Sequence, residues 1–511
     1  MNYPIKTDTA YVSRIIFDET SEQTVDADFG LPDYCPDIQK ILKCRIEPHI
    51  DSKNIVADRI EIEGTAVVRI IYVDAIKMAV RCTEQSFPYS ISSNLKTTPD
   101  NAVIQTDLKV SYLNCRALSP RRLNIHGAFN VGIKVIDRST VRAVNHIKGN
   151  DVQQKKQTLP YSQLDSVAQQ QFSVTETLET GQNRPSVQSV IRSDISTAKG
   201  EWTPVSGKLM YKGELLVKLL YLTDLDNGKT DSMEYGIPFS QVIDLSGISD
   251  ESQLAVRAEV MSHSITLRSE IGFDDPLPVL NAKICVTAFA FTSRDMAVIT
   301  DCYSTLYHTN RETGEISLPS LVGTVNESIV EKTNIDLTDN TVAKVMDVWC
   351  ETGACVFSYK DGKPTLCGKY NICVLAQDAE NNVFYTERST EFSHALNISP
   401  ECKDITAYLD SKCISAGFRI CSDKRIEVRA ELCVTGELYG HCTSKCITSL
   451  NSNEDAPRQN NSGTVVLYFA DKDESIWDIA RQYCTSTEKI LSENELDEDT
   501  LSSARMLMIT Q

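Results

Sequence analysis

The stretch GTAVVRIIY at Gly64–Tyr72 has two counterparts further along the chain, GELLVKLLY at Gly213–Tyr221 and GKYNICVLA at Gly368–Ala376. Four, six and seven places after each glycine stands an aliphatic residue. This content predicts strands that are buried on one or both faces. Because the glycines lie 149 and 155 residues apart, we predict three copies of one β-rich unit of about 150 residues each.

A second repeated signal lies upstream of each glycine. At the same interval of 26 residues stand Ile38 in PDIQKIL, Val187 in PSVQSVI and Val342 in TVAKVMD. The apolar spacing in these runs is typical of a short helix. In the first two runs a proline stands two places before the apolar residue, where it can begin a helix without losing a needed N–H group. We therefore predict a short helix before the repeated strand of each unit.

Further strands are predicted downstream of each repeated stretch. A phenylalanine follows in every unit, and alternating β segments come after it; the turn DLDNGK at Asp224–Lys229 suits a hairpin. The residues are Phe87, Phe239 and Phe392, followed by RLNIHGAFNVGIKVI (122–136), VLNAKICVTAFAF (279–291) and RIEVRAELCVTGEL (425–438). We place the repeat units at residues 1–168, 169–321 and 322–450.

The composition is that of a globular protein with several domains. The chain has 511 residues, which is too many for a single core, and 41% of them are apolar while 24% are charged. No window is apolar enough for a transmembrane segment and no secretory signal is visible at the start, so we expect a cytoplasmic protein. The net charge of −19 argues against nucleic acid and anionic lipid as partners, since both are negatively charged.

The 17 cysteines are predicted to be reduced thiols. Their number is odd, no export signal precedes them and no CxxC pair occurs. The nearest cluster, His441, Cys442 and Cys446, lacks a fourth ligand at zinc-like spacing, so we predict no metal site. Buried small hydrophobes in a β-rich domain are the simpler interpretation. Late oxidative cross-linking of an assembled structure is the alternative.

The sequence contains no complete catalytic motif. GAFNVGIK at 127–134 has the glycines of a phosphate loop but lacks its Gly-Lys-Ser/Thr ending. DLDNGKTDSMEY at 224–235 departs from a calcium loop in the position of its glycine and has no glutamate at the twelfth place. Neither G-x-S-x-G nor HExxH occurs, and the histidines stand singly. We predict no enzymatic activity, no catalytic residue and no cofactor.

The C-terminal part begins with a polar segment, NSNEDAPRQNNSG at 451–463, in which one alanine is the single apolar residue. Such a segment buries too little surface to fold alone, so we predict a flexible linker. A coil of this length spans on the order of 20 Å. The module that follows is therefore expected to be tethered and free to reach a partner.

Residues 464–511 are predicted to form a strand, two helices and a strand, from TVVLYF to RMLMI. Ser475 with Asp478, and Thr485 with Glu488, have the spacing of capping boxes. The predicted fold class is mainly β with short helices. It consists of three tandem β-rich repeat domains followed by a small α+β module.

This module resembles a LysM domain. The residues that match the family pattern are Glu474, Ser475, Ile476, Trp477, Ile479, Ala480, Tyr483, Asn494 and Leu496. Asp473 and Ala504 stand where the family has glycines, and Thr510 where it has a proline. The resemblance implies a shallow groove, between the loops before the first helix and before the last strand, that generally holds polymers of N-acetylglucosamine. We assign Trp477, Ile479 and Tyr483 to the module's structural core.

The body, with LPDYCPDIQKIL at Leu31–Leu42 and its threefold repeat, resembles tandem SPOCS domains, which are found in sporulation proteins of spore-forming Firmicutes. Several such units followed by one LysM domain imply a scaffold of the spore coat in the mother-cell cytoplasm. The resemblance further implies that the LysM module binds a SpoIVA-like coat morphogenetic ATPase and ties the assembling coat to the forespore surface.

Two kinds of partner remain open for the groove, a protein and a glycan. Residues 464–511 carry ten acidic and four basic side chains, and cell-wall polymers are themselves anionic, so the charge favours a protein. Asp473 also places a side chain where a glycine would let a sugar approach the backbone. The candidate contacts are Asp473, Glu474, Ser475, Asn494, Leu496 and Asp497, and the alternative is that they are ordinary solvated loop residues. The alternative function is peptidoglycan binding at the cortex or cell wall.

Overall fold

The computed structural model shows a chain built almost entirely of antiparallel strands. It describes residues 2–181, 184–198, 200–249, 251–269, 276–360, 362–398, 404–458 and 465–510. Over these residues the strands form seven sheets, and both helices lie in the C-terminal module. The predicted fold class is confirmed. Neither of the described helices has the length and apolar content needed to cross a membrane.

The first unit consists of two three-stranded antiparallel sheets that share one core. Its strands are β1 (Ile5–Gly30), β2 (Ile38–Val56), β3 (Arg59–Asp74), β4 (Val80–Asn94), β5 (Val103–Ser119) and β6 (Arg122–Ile147). The larger sheet has the order β1-β6-β5, and the smaller sheet has the order β2-β3-β4. Buried side chains of both sheets, such as Ile62 and Phe129, pack together between them.

The second and third units repeat this arrangement. The strands of the second unit are β7 (Val152–Thr177), β8 (Ser189–Thr197), β9 (Glu201–Val205), β10 (Lys208–Asp224), β11 (Lys229–Asp244), β12 (Gln253–Arg268) and β13 (Leu277–Ser304). Those of the third are β14 (Tyr307–Asp336), β15 (Lys344–Lys360), β16 (Lys363–Gln377), β17 (Val383–Ala395), β18 (Ile405–Ser422) and β19 (Arg425–Pro457). The larger sheets are β7-β13-β12 and β14-β19-β18, and the smaller sheets are β8-β10-β11, with β9 beside β10, and β15-β16-β17.

The repeated glycine lies in the central strand of each smaller sheet, opposite an aromatic ring. The pairs are Gly64 with Tyr89, Gly213 with Phe239, and Gly368 with Phe392. A Cβ atom at any of these glycines would collide with the ring, so the ring covers the place where the glycine has no side chain. In the first unit this ring belongs to Tyr89 and not to the predicted Phe87, which pairs with Ala66.

The predicted short helix before each repeated strand is wrong, because these runs enter β2, β8 and β15. In β2, β-bulges after Ile38 and after Ile41 interrupt the two-residue alternation of a strand. Bulges also occur in the corresponding parts of β8 and β15. Each bulge adds a residue, so buried side chains recur at intervals of three or four, which imitates a helix.

The units divide earlier than the sequence predicts. β7 begins at Val152 and pairs with β13, and β14 begins at Tyr307 and pairs with β19. The pairing therefore places the divisions between Ile147 and Val152 and between Ser304 and Tyr307, instead of at 168 and 321. These opening strands have 26 and 30 residues, and their polar first halves are ordered by pairing rather than by a local β pattern.

The predicted flexible linker, 451–463, is wrong in its first half. β19 continues to Pro457, and Asn451 and Pro457 pair with Asn310 and Tyr307 at the start of β14. The segment is polar, but its first three residues pair with the neighbouring strand, so they need no core of their own. Residues 459–463 of the predicted linker lie outside the described residues.

The three units meet at apolar junctions between their smaller sheets and between their larger sheets. In the smaller-sheet junction, Ile71, Leu220 and Leu375, each seven places after a repeated glycine, lie in one buried cluster with Trp349. Because equivalent residues of the three units meet, the units are arranged around an approximate threefold axis. The larger-sheet junction is formed by residues that include Ala10, Val12, Leu159, Val298 and Leu318.

The C-terminal module has the predicted order of strand, helix, helix and strand. Its elements are β20 (Val465–Ala470), α1 (Ile476–Gln482), α2 (Thr487–Glu493) and β21 (Arg505–Thr510). Ser475 is the N-cap of α1, but its side chain makes no capping hydrogen bond. The second box is shifted by one residue, because Ser486 caps α2 by accepting from the N–H of Lys489. Thr485 is buried, and its hydroxyl donates to the carbonyl of Thr510.

Candidate functional site

The two loops that flank the predicted groove are hydrogen-bonded to each other. The N–H of Asp473 donates to the carbonyl of Leu501 at 2.8 Å, and the N–H of Leu501 donates to the carbonyl of Glu474 at 3.1 Å. The N–H of Ile476 donates to the carbonyl of Asp499 at 2.9 Å. These backbone groups are already paired within the module, so they are not free to bind a sugar.

Asp473 and Asp497 are the two predicted contact residues with exposed side chains. Asp473 has a φ of +65°, the left-handed conformation that glycine adopts without strain and that aspartate tolerates better than most residues. The glycine that the LysM family has at this position is therefore explained by backbone conformation as well as by any contact with a ligand. Asp473 keeps the loop conformation and adds a carboxylate at the rim of the groove.

Glu474 and Ser475 shape the loop from partly buried positions. The carboxylate of Glu474 accepts hydrogen bonds from the hydroxyl of Tyr468 at 2.7 Å and from the N–H of Asp471 at 3.0 Å. The hydrogen bond to Glu474 raises the pKa of Tyr468 to about 12. Ser475 forms a β-bridge with Thr500 in the opposite loop. Both residues therefore stabilise the conformation of the loops at the groove.

Asn494 and Leu496 are also tied into the fold of the module. The Asn494 amide donates to the carbonyls of Met508 at 2.7 Å and Ile490 at 2.8 Å. Its side-chain oxygen accepts from the N–H of Met508 at 2.7 Å. The Asn494 side chain therefore makes the backbone hydrogen bonds to β21 that a neighbouring strand would make. Leu496 packs against the core of the module.

The core residues of the module continue into the second unit. Trp477 and Ile479 are buried and Tyr483 is partly buried, and the same cluster contains Tyr303 from the end of β13. The rings of Tyr303 and Trp477 meet edge to face with their centroids 5.0 Å apart. The hydroxyl of Tyr303 donates to the carbonyl of Thr485 at 2.8 Å. The module is therefore docked on the second unit, whereas the sequence predicts a freely tethered module.

Asp301, two residues before this tyrosine, supplies the polar part of the docking contact. Its carboxylate accepts from the indole N–H of Trp477 at 2.9 Å and from the guanidinium of Arg481 at 2.8 Å. It also forms an ion pair with Arg311 of the third unit. Trp477 uses both its ring and its N–H group in this contact, so it holds the module to the body as well as filling the module's core.

The outer face of the β20–β21 sheet is an exposed apolar surface, which we call the outer sheet face. Its members are Val465, Leu467, Phe469, Met506 and Met508. Leu467 pairs with Met508, and Phe469 pairs with Met506, so these side chains are neighbours. Leu467 is 66% exposed and Phe469 is 63% exposed. A contiguous exposed apolar surface of this kind is typical of a protein-interaction site.

Sequence reasoning missed the outer sheet face, although a signal for it was present. The strand VVLYFA has apolar side chains on both of its faces, and RMLMIT nearly so. The two helices cover one face of the sheet, where Leu507 and Ile509 are fully buried. Both faces of this two-stranded sheet are apolar and the helices cover only one of them, so the other face remains at the surface.

A cavity of about 1350 Å³ opens between the three units, beside the smaller-sheet junction. Strands of all three units line it, and its walls carry charges of both signs. They include Lys43, Arg45, Glu47, Asp194, Lys218, Glu351 and Asp410. Sequence reasoning missed this cavity because the charged residues that line it come from three different units.

A network of charges joins the units at this cavity. Arg192 is 1% exposed; its guanidinium donates to Asp347 of the third unit at 2.7 Å and pairs with Asp194. Arg45 of the first unit also donates to Asp194, at 3.1 Å. Burial alone would raise the pKa of Asp194, but the two guanidiniums outweigh burial and hold that pKa well below its usual range. Arg192 lies over the ring of Trp349 at 4.6 Å.

Comparison with known proteins identifies two kinds of domain. Residues 37–118 and 186–268 match a family model described as SipL, SPOCS domain, and residues 471–510 match that of the LysM domain. The chain has a SipL-like domain architecture. The matched SPOCS segments cover β2–β5 and β8–β12, without the long first and last strands of each unit. No curated protein and no solved structure matches the chain.

The SPOCS and LysM domains are non-catalytic binding and scaffold domains, and together they fit a SipL-like coat protein. The third unit has the same strand order as the two that contain the matched segments. We use the label SPOCS unit for all three because they share this strand order, although the family model matches only the first two. The C-terminal module is the LysM domain.

Proposed function

We propose that the protein is a non-enzymatic scaffold of the endospore coat, located in the mother-cell cytoplasm at the forespore surface. In this proposal the LysM domain binds a SpoIVA-like coat morphogenetic ATPase, and the SPOCS units tie the coat to the forespore. The observation that carries the proposal is the outer sheet face, where five apolar side chains of the LysM domain are exposed. The domain architecture supports the same conclusion.

The chemistry of the LysM domain favours a protein partner over a glycan. The outer sheet face offers apolar side chains and few hydrogen-bonding groups, which suits the core of a protein interface. In the groove, the backbone N–H groups of Asp473 and Leu501 are already hydrogen-bonded across the loops. Asp473 and Asp497 add negative charge at the rim, where an anionic wall polymer would be repelled.

The charge of the LysM domain predicts what surrounds the contact on the partner. Residues 464–511 contain ten acidic and four basic side chains, and Asp497, Glu498 and Asp499 are all exposed. A partner that covers the outer sheet face should therefore present an apolar patch with basic residues at its rim. Rim charges act mainly on the association rate, so salt should slow binding without abolishing it.

Binding of the full-length chain to a purified SpoIVA-like ATPase tests the proposal. The paired substitutions Leu467→Gln and Phe469→Gln remove the centre of the outer sheet face and are expected to weaken binding about tenfold or more. Val242→Gln in β11 is the matched control, because Val242 is also an exposed apolar strand residue, and it should bind as the unmodified chain does. Unchanged binding by the double variant would contradict a role for this face.

Peptidoglycan binding is the second candidate, and the match to the LysM domain favours it. Co-sedimentation with purified peptidoglycan separates the two functions. Asp473→Gly restores the family residue at a position of positive φ, so it should fold normally and isolate the effect of the carboxylate. We expect no pelleting of either form. Pelleting that Asp473→Gly strengthens, together with no binding to the ATPase, would establish the glycan function instead.

A further inference from the structure

Glu47, His49 and His263 bring three potential metal ligands together across the boundary between the first and second SPOCS units. One ligand atom from each lies within 4.8 Å of the others. Glu47 and His49 are two residues apart in β2, so their side chains project from the same face. His263 comes from β12, and its ring lies edge to face with that of His49, with centroids 4.7 Å apart. The sequence predicts no metal site because its nearest cluster, around Cys442, lacks a fourth ligand, whereas here two histidines from different units meet.

Three polar atoms of this cluster have no hydrogen-bond partner within the described part of the chain. Glu47 is 6% exposed and neither of its carboxylate oxygens accepts a hydrogen bond; the same holds for Nε2 of His263. Arg45 and Arg69 approach one oxygen of Glu47 at 3.5 and 3.7 Å, which is too far for a hydrogen bond. Buried polar atoms are nearly always hydrogen-bonded, so a carboxylate facing an imidazole nitrogen, both without partners, is an arrangement suited to holding a cation.

The donor set decides which cation is suited. Two imidazoles and one carboxylate are ligands that Zn²⁺ prefers, whereas Ca²⁺ and Mg²⁺ take oxygen ligands. All three side chains line the central cavity.

The neighbouring charges permit a divalent cation here. The guanidiniums of Arg45 and Arg69 would oppose it, but each is paired with a carboxylate. Arg45 donates to Asp194 at 3.1 Å, and Arg69 donates to Glu84 at 3.0 Å. Asp194 also pairs with Arg192, whose guanidinium pairs in turn with Asp347. Glu47, Glu84, Asp194 and Asp347 therefore place four carboxylates against three guanidiniums.

We propose that Glu47, His49 and His263 form a Zn²⁺ site that links the first SPOCS unit to the second. With three protein ligands, the ion keeps one coordination position open toward the cavity, where water or an anionic group of a ligand binds. The site shares no residue with the contacts of the LysM domain. This proposal can therefore fail while the proposed coat function stands, and the coat function can fail while this proposal stands.

Titration of the reduced full-length chain with Co²⁺, a spectroscopic substitute for Zn²⁺, tests the site. We expect about one Co²⁺ per chain, with visible d–d bands and without a thiolate-to-cobalt charge-transfer band, because the ligands are nitrogen and oxygen. Added Zn²⁺ should bleach these bands. It should also raise the Tm by several degrees, since an ion bound between two units stabilises the folded state.

Ligand variants separate this site from the 17 cysteines, which are the other possible ligands. Glu47→Gln and His263→Asn should each weaken Co²⁺ binding about tenfold or more and remove the Zn²⁺-dependent rise in Tm. His126→Asn is the matched control, because His126 is an exposed histidine in β6, and it should behave like the unmodified chain. Circular dichroism checks that the variants are folded. A charge-transfer band, unchanged binding by folded ligand variants, or no Co²⁺ binding by the unmodified chain would overturn the proposal.

Discussion

The smaller-sheet junction and the larger-sheet junction between the SPOCS units are built from different kinds of side chain. The larger-sheet junction is aliphatic, and Val12, Val298 and Leu318 contribute to it from one unit each. The smaller-sheet junction is also apolar at its centre, but beside it Arg192 and Asp347 form a buried ion pair. Aliphatic packing is enough to hold units together, while a buried ion pair is seldom more stabilising than an apolar replacement. The charge network is therefore better explained by the cavity it borders and by the specificity of pairing between units.

The largest expected effect comes from breaking the charge network on one side. Arg192→Ala removes the hydrogen-bonded cation of Asp347, which is 3% exposed and keeps Lys218 at 3.5 Å, and breaking a buried ion pair on one side costs about 3 kcal/mol. The loss should appear as a shift of the urea unfolding transition. The control is Arg192→Met combined with Asp347→Leu, which removes both charges and should cost much less. An equal loss in both variants would mean that the network itself stabilises the junction.

The larger-sheet junction should respond as ordinary core packing does. Leu318→Ala removes a fully buried side chain and is expected to lower the free energy of unfolding by about 3 kcal/mol. Leu306→Ala is the control, because Leu306 is 51% exposed and its truncation should change stability by less than about 0.5 kcal/mol. The same urea experiment measures both. A negligible cost for Leu318→Ala would show that this junction is not what joins the units.

The contact between the LysM domain and the second SPOCS unit combines both kinds of interaction. Tyr303→Phe keeps the ring against Trp477 and removes the hydrogen bond to the carbonyl of Thr485, at a cost of about 1 kcal/mol. Hydrogen exchange in α1 and α2 should become faster by about fivefold, because the domain undocks more often. Tyr359→Phe, at a half-exposed tyrosine of β15, should leave the exchange unchanged. Equal exchange in both variants would show that the hydroxyl of Tyr303 does not hold the domain.

The smallest expected effect is a loss of stability at acidic pH, and it should arise at the charge network beside the smaller-sheet junction. The pKa of Asp194 is held below its ordinary value of 3.8, so its contribution to stability is complete above that value and is lost as the pH falls through the lower pKa of the folded state. The contribution of Asp194 should therefore be constant from pH 7 to about 5 and should be lost below about 4. Asp194→Asn should make the fall in the free energy of unfolding below about pH 4 less steep. An unchanged slope would exclude Asp194 as a source of that fall.

Much of the fold was predictable because its signals are local. The repeated glycine with its aliphatic neighbours indicated a central strand, and the order of elements in the LysM domain followed from short apolar runs. The helix predicted around Ile38 failed for an equally local reason, since bulges in β2 changed the apparent period. The unit boundaries failed because the pairing of β7 with β13 joins residues more than 100 positions apart. Local patterning contains no information about such a partner.

The candidate sites depended more strongly on distant contacts. The six residues predicted for the LysM groove lie at or near its loops, but Asn494 and Glu474 have hydrogen bonds that give them structural tasks. The outer sheet face was visible as an apolar run, and it became a candidate site only when the helices were seen to cover the opposite face. The cluster of Glu47 and His263 joins two units, and neither residue belongs to a recognisable motif.

By itself the sequence determined the threefold repeat, the β class, the LysM domain and the acidic character of that domain, because each follows from composition and short-range periodicity. Only the tertiary structure decided that Tyr303 enters the LysM core, that Glu47 faces His263, and that Leu467 remains uncovered. These outcomes depend on which faces of distant strands meet. A shift of one residue in strand register turns a side chain from one face to the other, and nothing in a local pattern specifies that register between units.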